Sequence, residues 1–247
     1  MHRLCILTSI AFTACAHPSP APTPMPPSPL VPVEIVIPDL VEPPDASGMG
    51  PYVDELYALG WSADSTRFAY AIERADEACG CLTVDLAIVR VASGQVWWSD
   101  HFQSDERSLG AAETLDFEAL WALRGAAWSA DLKARGIVLP PTAVLVSLPV
   151  GGVDSPRVEI RSTAASADSE FGFPYLTSYG VELLRGGERS SMTEFHANGG
   201  IGPQAVDVAG YLAAPDLVHA VGIVVETWRG WEGQQQVKTV RVVSATS

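Results

Sequence analysis

Apolar side chains recur at every second position in several short runs of this chain, and this period limits the folds that it can adopt. The run 66–73 reads TRFAYAIE, in which aromatic residues and isoleucine alternate with arginine and alanine. Successive residues of a β-strand point to opposite faces, so this period predicts a half-buried strand. Strand-like runs also cover 52–61, 82–91 and 95–102, with turn residues between them. Four consecutive strands with tight turns are typical of one propeller blade or one antiparallel sheet.

A different period occupies the middle of the chain. Between about 111 and 135, large apolar residues recur at helical spacing, namely Phe117, Leu120, Trp121, Leu123, Trp128 and Leu132. Gly125 falls on the same face, and Gly136 is at the position of a helix C-cap. We therefore expect one long helix over 111–135 that buries this stripe and braces a sheet.

The chain after the helix returns to strand-like runs separated by Gly, Pro and Asn turns, between 143 and 245. Because helices do not alternate with strands, a parallel doubly wound sheet is not expected. We expect a mainly β (α+β) domain over 48–247. Its antiparallel meander sheets would form a sandwich-like or partial-propeller body, braced by the helix.

The first 15 residues have the composition of an export signal. A basic start is followed by an apolar stretch over 4–12 and then by Thr13-Ala14-Cys15. This order resembles a bacterial lipoprotein signal, and the resemblance implies cleavage before Cys15 and lipidation of its thiol. Ala16 follows where inner-membrane retention favours Asp, so the resemblance implies the outer membrane, facing the periplasm or the exterior. Ordinary cleavage after Ala16, which would give a secreted protein, and an uncleaved anchor remain open.

Proline dominates the next segment, which we assign as a disordered tether over 16–47. Eleven of the 19 prolines lie between 18 and 44. Proline fixes φ and lacks an N–H donor, so this segment is expected to sample extended polyproline II. The apolar patch VEIVI at 33–37 is the exception, because it could dock on the domain as an edge strand.

The charge of the chain bears on its partners. There are 29 acidic and 15 basic residues, a formal net charge of −14. A surface of this sign repels phosphate backbones, so we expect no nucleic-acid partner. The expected contacts are the membrane, through the lipid, and an envelope protein or the cell wall.

The stretch WSADSTRFAY at 61–70 resembles the strand-turn-strand of TolB-like propeller repeats. Trp61, Ser62, Asp64 and Arg67 match that pattern, and DLAIVRVASGQ at 85–95 resembles the strand pair that follows. A complete propeller needs at least four such units, and one is found here. A closer resemblance, over about 55–245, is to a family of predicted secreted bacterial proteins of unknown function, which implies no reaction.

Cys79-Gly80-Cys81 is a compact cysteine motif between two strands. In an oxidising envelope these thiols are expected to pair, with Gly80 bending the backbone between them. Free thiols without a role remain open, as does a redox or soft-metal site, which is our alternative function for the chain.

Motifs of catalysis are missing from the sequence. There is no G-x-S-x-G elbow, no histidine pair at ligand spacing and no phosphate-binding glycine loop. We therefore expect no metal and no cofactor, and an enzyme is the less favoured reading. His196, beside the Asn-Gly-Gly of 198–200, is the best single candidate for a hydrolase, although a histidine beside a turn is more often a surface residue.

Four tryptophans are candidate partner-binding residues: Trp97, Trp98, Trp228 and Trp231. Adjacent strand positions face opposite sides of a sheet, so one of Trp97 and Trp98 is expected to be exposed. Our leading hypothesis is a non-enzymatic, lipid-anchored binding or scaffolding module. It predicts a contiguous apolar or aromatic surface and no convergent polar cleft.

Overall fold

The computed structural model describes residues 29–37, 52–74, 81–104, 115–141, 145–146, 157–168, 173–185, 188–197, 202–229 and 236–244. The strands in these ranges are β1 (Val33–Glu34), β2 (Tyr52–Val53), β3 (Glu55–Ser62), β4 (Arg67–Arg74), β5 (Thr83–Arg90), β6 (Val96–Gln103), β7 (Ile137–Leu139), β8 (Arg157–Asp168), β9 (Phe173–Arg185), β10 (Glu188–His196), β11 (Ala205–Ala213), β12 (Ala220–Arg229) and β13 (Gln236–Ser244). The helix, α1, spans Phe117–Ala134. The prediction of a mainly β domain with antiparallel sheets and one helix is confirmed.

Sheet 1 contains the four strands predicted from the alternating runs. β3, β4, β5 and β6 form an antiparallel meander in chain order. Both β1 and β7 pair antiparallel with β3 and extend that edge of the sheet. The local period therefore located these strands to within a few residues.

The rest of the chain forms two further sheets. In sheet 2, β11, β12 and β13 are antiparallel neighbours, and β2 is parallel to β13. Sheet 3 has the order β10-β9-β8, and its strands are antiparallel. β12 is buried over eight consecutive residues, because sheet 2 is covered on both faces.

Three apolar clusters show how the layers stack. Between sheets 1 and 2, Trp61 and Phe68 contact the side of β12 that carries Ile223. On the other face of sheet 2, Val224 packs with Tyr179 of sheet 3. The helix covers the remaining face of sheet 1. The layers therefore run helix, sheet 1, sheet 2 and sheet 3, which agrees with the sandwich-like expectation.

The helix begins later than predicted. Residues 115 and 116 are not helical, and the Asp116 side chain caps the helix by accepting a hydrogen bond of 2.8 Å from the N–H of Ala119. Gly136 follows the helix with φ +82°, which confirms its capping role. Positions 111–114 lie outside the described residues. Within the described ranges, no helix has the length and hydropathy needed to cross a membrane.

Leu123 does not belong to the buried stripe. It is 68% exposed, whereas Leu132 is fully buried. At about 100° per residue, Leu123 points about 140° away from Trp128, so it lies outside the face that contacts the sheet. The prediction of a stripe including Leu123 was too wide. Trp121 lies at its margin and is half-buried.

Part of the predicted tether belongs to the folded domain. Val33–Glu34 pairs with β3, and Ile35 and Ile37 are only 4% and 6% exposed. These alternate isoleucines are buried in the core. Pro32 lies just before the strand, at a sheet edge where proline is tolerated. The docking of 33–37 as an edge strand is confirmed, and a disordered tether over all of 16–47 is wrong for 29–37. Residues 16–28 and 38–47 lie outside the described residues.

The exposure difference within α1 gives a stability prediction. We expect Leu132→Ala to lower the free energy of unfolding by about 2–5 kcal/mol, because it leaves a cavity in the helix–sheet core. The matched control Leu123→Ala removes the same atoms from an exposed position and should change it by less than about 0.5 kcal/mol. Urea unfolding followed by tryptophan fluorescence measures both. Equal losses in the two variants would contradict this packing of the helix.

Candidate functional site

The turn of the TolB-like stretch is held by its own side chains. The Ser62 hydroxyl donates to Asp64 Oδ1 (2.6 Å) and accepts from the Arg67 N–H (3.0 Å). Asp64 also accepts from the hydroxyl (2.8 Å) and the N–H (3.2 Å) of Thr66. These hydrogen bonds to Ser62 and Thr66 lower the pKa of Asp64 from 3.8 to about 2. The conspicuous polar residues of this motif therefore stabilise a hairpin.

The other two residues of the motif are also structural. Trp61 is fully buried and packs on Phe68, with ring centroids 4.6 Å apart. Arg67 donates from Nη1 to the carbonyl of Arg135 (2.8 Å), which ties the hairpin to the end of α1. Its guanidinium also lies 4.8 Å from the centre of the Trp97 ring.

A β-bulge corrects the expectation for the two adjacent tryptophans of β6. Val96 is opposite Val89 and Trp98 is opposite Ile88, so Trp97 is an extra residue on its strand. The alternation of faces is interrupted there, and both indoles lie on the helix side of sheet 1. Trp97 is 39% exposed beside Arg67, while Trp98 is half-buried beneath the guanidinium of Arg135 at 4.6 Å. Trp97 is the exposed one of the two, as expected, but the reason given for that expectation, one indole on each face, is wrong.

The tail tryptophans do not form an observed pair. Trp231 lies outside the described residues. The indole N–H of Trp228 lies 3.2 Å from Glu226 Oε2 and 3.1 Å from the Thr239 hydroxyl, and its ring contacts Phe195 edge-on. Trp228 is half-buried, and its indole N–H belongs to the hydrogen-bond network around Glu226.

Cys81 is disulfide-bonded and only 5% exposed. Its partner lies outside the described residues, as Cys79 does, so pairing between these two cysteines stays a prediction. A bonded sulfur is not the thiolate that binds metal or attacks another disulfide. Among the described residues, no group of three metal-ligating side chains is found.

His196 lies at the end of β10 on the open surface. Its side chain is 63% exposed, and Nε2 is 3.7 Å from the carboxylate of Glu194. A catalytic histidine needs a protected position next to a nucleophile. Here the histidine and its acid are both exposed.

A concave site of the described residues is a cleft where sheets 1, 2 and 3 meet. Its volume is about 360 Å³, within the range of small-ligand sites. It is lined by residues of β4, the β5–β6 turn, β6, β10, β12 and β13: Tyr70, Ile72, Arg74, Gly94, Val96, Met192, Thr193, Glu226, Thr239, Val240, Arg241, Val242 and Val243. A cleft with several polar groups is contrary to the expectation of an apolar surface without one.

One end of the cleft is built by a chain of charges. Asp54, 2% exposed, accepts from Arg74 Nη1 (2.9 Å) and from the N–H of Val240 (3.1 Å). Arg74 also donates from Nε to Asp85 (2.9 Å), and His101 Nδ1 lies 2.7 Å from the same carboxylate. Burial raises the pKa of Asp85, but the hydrogen bonds from His101 and Arg74 outweigh it, so the net shift is downward.

The other end is organised around Glu226. Its carboxylate is 3% exposed and accepts from Arg241 through Nε (3.0 Å) and Nη2 (3.2 Å). Tyr179 also donates to it. Arg241 remains 41% exposed and lies over the ring of Phe195 at 5.7 Å. A buried carboxylate is thus neutralised by an arginine that still reaches the cleft.

Tyr70 contributes a polar side chain to this site. It lines the cleft, is 8% exposed, and its hydroxyl has no hydrogen-bond partner within the described part of the chain. Burial raises the pKa of this phenol, so it is a neutral donor under ordinary conditions. Among the described residues, the enclosed polar side-chain atoms without a partner are Trp61 Nε1 and the Thr83 hydroxyl, so the Tyr70 hydroxyl is accessible from the cleft and can donate to a ligand acceptor there.

Sequence reasoning did not find the residues of the cleft. The signal was an acidic residue inside an otherwise apolar run, as in VGIVVETW around Glu226, because such a charge is buried only when it is paired. Nothing local in the sequence connects Tyr70 or Arg74 with Arg241.

No protein-family model, curated protein or solved structure matches this chain. The resemblance to TolB-like hairpins therefore stays an expectation from its residues.

The low pKa of Asp64 predicts a pH dependence of stability. The folded pKa, about 2, is below the ordinary 3.8, so the carboxylate stabilises the fold fully above 3.8 and less as the pH falls toward 2. We expect Asp64→Asn to lower the melting temperature. The difference from wild type should be constant above about pH 5 and shrink from there toward pH 3. Thermal unfolding across this range measures it, and a difference that grows on acidification would contradict the role of the charge.

The state of Cys81 can be tested by alkylation of the denatured protein. Without reductant, Cys81 should remain unmodified by iodoacetamide, because its sulfur is bonded. After reduction it should gain one adduct, seen by peptide mass spectrometry. In Cys79→Ser we expect Cys81 to be alkylated without reductant. Continued protection of Cys81 in that variant would show that another cysteine is its partner.

Proposed function

We propose that this chain is a lipid-anchored, non-enzymatic binding protein of the bacterial cell envelope, held at the outer membrane through Cys15. The cleft between the three sheets is its ligand-binding site. The observation that carries the binding role is a cleft of about 360 Å³ into which the hydroxyl of Tyr70, without a partner among the described residues, and the partly exposed guanidinium of Arg241 both reach.

The location rests first on the sequence. A basic start, an apolar stretch and the small residues before Cys15 together resemble a lipoprotein signal. Two or more acyl chains are needed for stable anchoring, which is what lipoprotein maturation provides. The disulfide at Cys81 supports an oxidising compartment, because disulfides persist outside the cytoplasm and are rare inside it.

Binding is favoured over catalysis by the chemistry of the cleft. The carboxylate of Glu226, which lines the cleft, and that of Asp54, which is bonded to the lining Arg74, are buried and already satisfied by arginine and by N–H or O–H donors. A general base must be free to take a proton from a substrate. Tyr70, through its hydroxyl, and Arg241, through Nη1, present donors instead, and donors recognise an anionic or carbonyl-bearing ligand.

Metabolic labelling tests the anchor. In cells given radiolabelled palmitate, the wild-type protein should carry label and remain in the membrane fraction, because lipidation fixes it there. Cys15→Ser should lose both. Cys5→Ser, which removes the other cysteine of the same segment, is the matched control and should behave like wild type.

Two results would overturn the anchor. One is equal labelling of Cys15→Ser and wild type. The other is an unmodified N-terminus at His17 on a protein released from the membrane, which would establish secretion instead.

A further inference from the structure

Among the described residues, one edge of β13 is unpaired where it lines the cleft; we refer to it as the open edge. Along its first edge, β13 pairs with β12 over its whole length, from Gln236 to Ser244. Along its second edge, β2 pairs only at Val237 and Lys238. The chain then leaves this edge at Asp54 and enters sheet 1, and no described strand pairs with β13 beyond that point.

The backbone groups on this open edge follow from two hydrogen bonds. The N–H of Asp54 donates to the carbonyl of Lys238 (2.9 Å), and the N–H of Val240 donates to the Asp54 carboxylate (3.1 Å). Backbone groups of an antiparallel strand alternate between its two edges. The carbonyl of Val240 and both backbone groups of Val242 therefore face the open edge.

Asp54 occupies the position that a neighbouring strand would otherwise take. Its carboxylate accepts the Val240 N–H as the carbonyl of a paired strand would. Cleft-lining residues of β13 run from Thr239 to Val243, and at about 3.3 Å per residue they offer an edge of about 16 Å. An extended peptide placed there would continue the sheet from the point where β2 departs.

The side chains around this edge select for an acid. Arg241 donates hydrogen bonds to Glu226 from Nε and Nη2. Its Nη1 donors remain available to a ligand, and its side chain, which lines the cleft, is 41% exposed. Tyr70 adds its hydroxyl donor. A carboxylate is the acceptor that suits a guanidinium and a phenol together, through charge-assisted hydrogen bonds.

We propose that the cleft binds an extended peptide that adds as a strand to the open edge of β13 and places an aspartate or glutamate side chain at Tyr70 and Arg241. This inference rests on the proposed binding function and names its ligand class. Strand addition supplies affinity from backbone hydrogen bonds, and the pocket beside the strand supplies specificity.

Three synthetic peptides, each added to the purified protein, test this. The probe is Thr-Val-Glu-Val-Thr-amide with fluorescein coupled to its N-terminal amine, which leaves the Glu carboxylate free. The second peptide has Gln in place of Glu, and the third keeps Glu but has N-methylated alternate amides. We expect the Gln peptide to bind about tenfold more weakly, because it loses a charged hydrogen bond. The N-methylated peptide should show no binding by fluorescence anisotropy, because it cannot pair with the edge.

Protein variants locate the site. Tyr70→Phe should weaken binding of the Glu peptide about tenfold and leave the melting temperature unchanged, because the hydroxyl has no partner in the described part of the free protein. Tyr211→Phe, outside the cleft, should change neither. Val242→Pro should abolish binding, since it removes the outward N–H while an edge position tolerates proline. If that variant does not fold, the N-methylated peptide tests the same hydrogen bond.

The outcomes separate the possible failures. Equal binding of the N-methylated peptide, or of free glutamate with the same affinity, would overturn strand addition in favour of a small-carboxylate site. No binding by any peptide, or no effect of Tyr70→Phe, would overturn the proposal as a whole. Palmitate labelling at Cys15 is independent of all these results, so a failure of the anchor and a failure of peptide binding are distinguishable.

Discussion

The buried carboxylate of Asp54 holds the two central sheets together. It lies at the single residue between β2 of sheet 2 and β3 of sheet 1, and it binds Arg74 of β4 and the N–H of Val240 in β13. Apolar contacts between sheets have no fixed register, whereas these hydrogen bonds do. The charge is stable in this place because a guanidinium and a backbone donor replace its water. The stacking of sheets 1 and 2, and the position of everything attached to them, depends on this junction.

Glu226 is a second buried carboxylate that needs a partner, and it lies on the other face of sheet 2. It interrupts the apolar β12 and points toward sheet 3, where Tyr179, Trp228 and Arg241 surround it. Asp54 and Glu226 are thus each paired with an arginine from a neighbouring strand. Both arginines extend to the rim of the interface, and both line the cleft. The polar character of the cleft is therefore a consequence of how the buried charges of the core are compensated.

Local sequence patterns predicted the helix and strands of this fold. The composition of the cleft, in contrast, depends on which strands, distant in the sequence, pack together. The alternation at 66–73 and the apolar stripe from Phe117 to Leu132 predict a strand and a helix correctly, because both patterns depend only on residues that are close in the sequence. The bulge at Trp97 is invisible to such a pattern, since it depends on which residue of β5 lies opposite. The packing of 33–37 against the domain was predictable from its alternating isoleucines. That Tyr70 and Arg241, far apart in the sequence, line the same cleft depends on the stacking order of the sheets.

The departure of β2 from sheet 2 explains why a binding edge can exist without becoming a site of aggregation. An unpaired strand edge is a template for other chains, and proteins usually shorten it, cover it or place charges beside it. Here all three devices act at one place. Asp54 pairs the N–H of Val240, the remaining edge is confined to a cleft, and Arg74 and Arg241 flank it. An edge protected in this way rejects a flat apolar strand of a second copy, because such a strand would cover the Nη1 donors of Arg241 without offering them an acceptor. The same charges admit a segment that brings its own carboxylate, so protection and specificity follow from one arrangement.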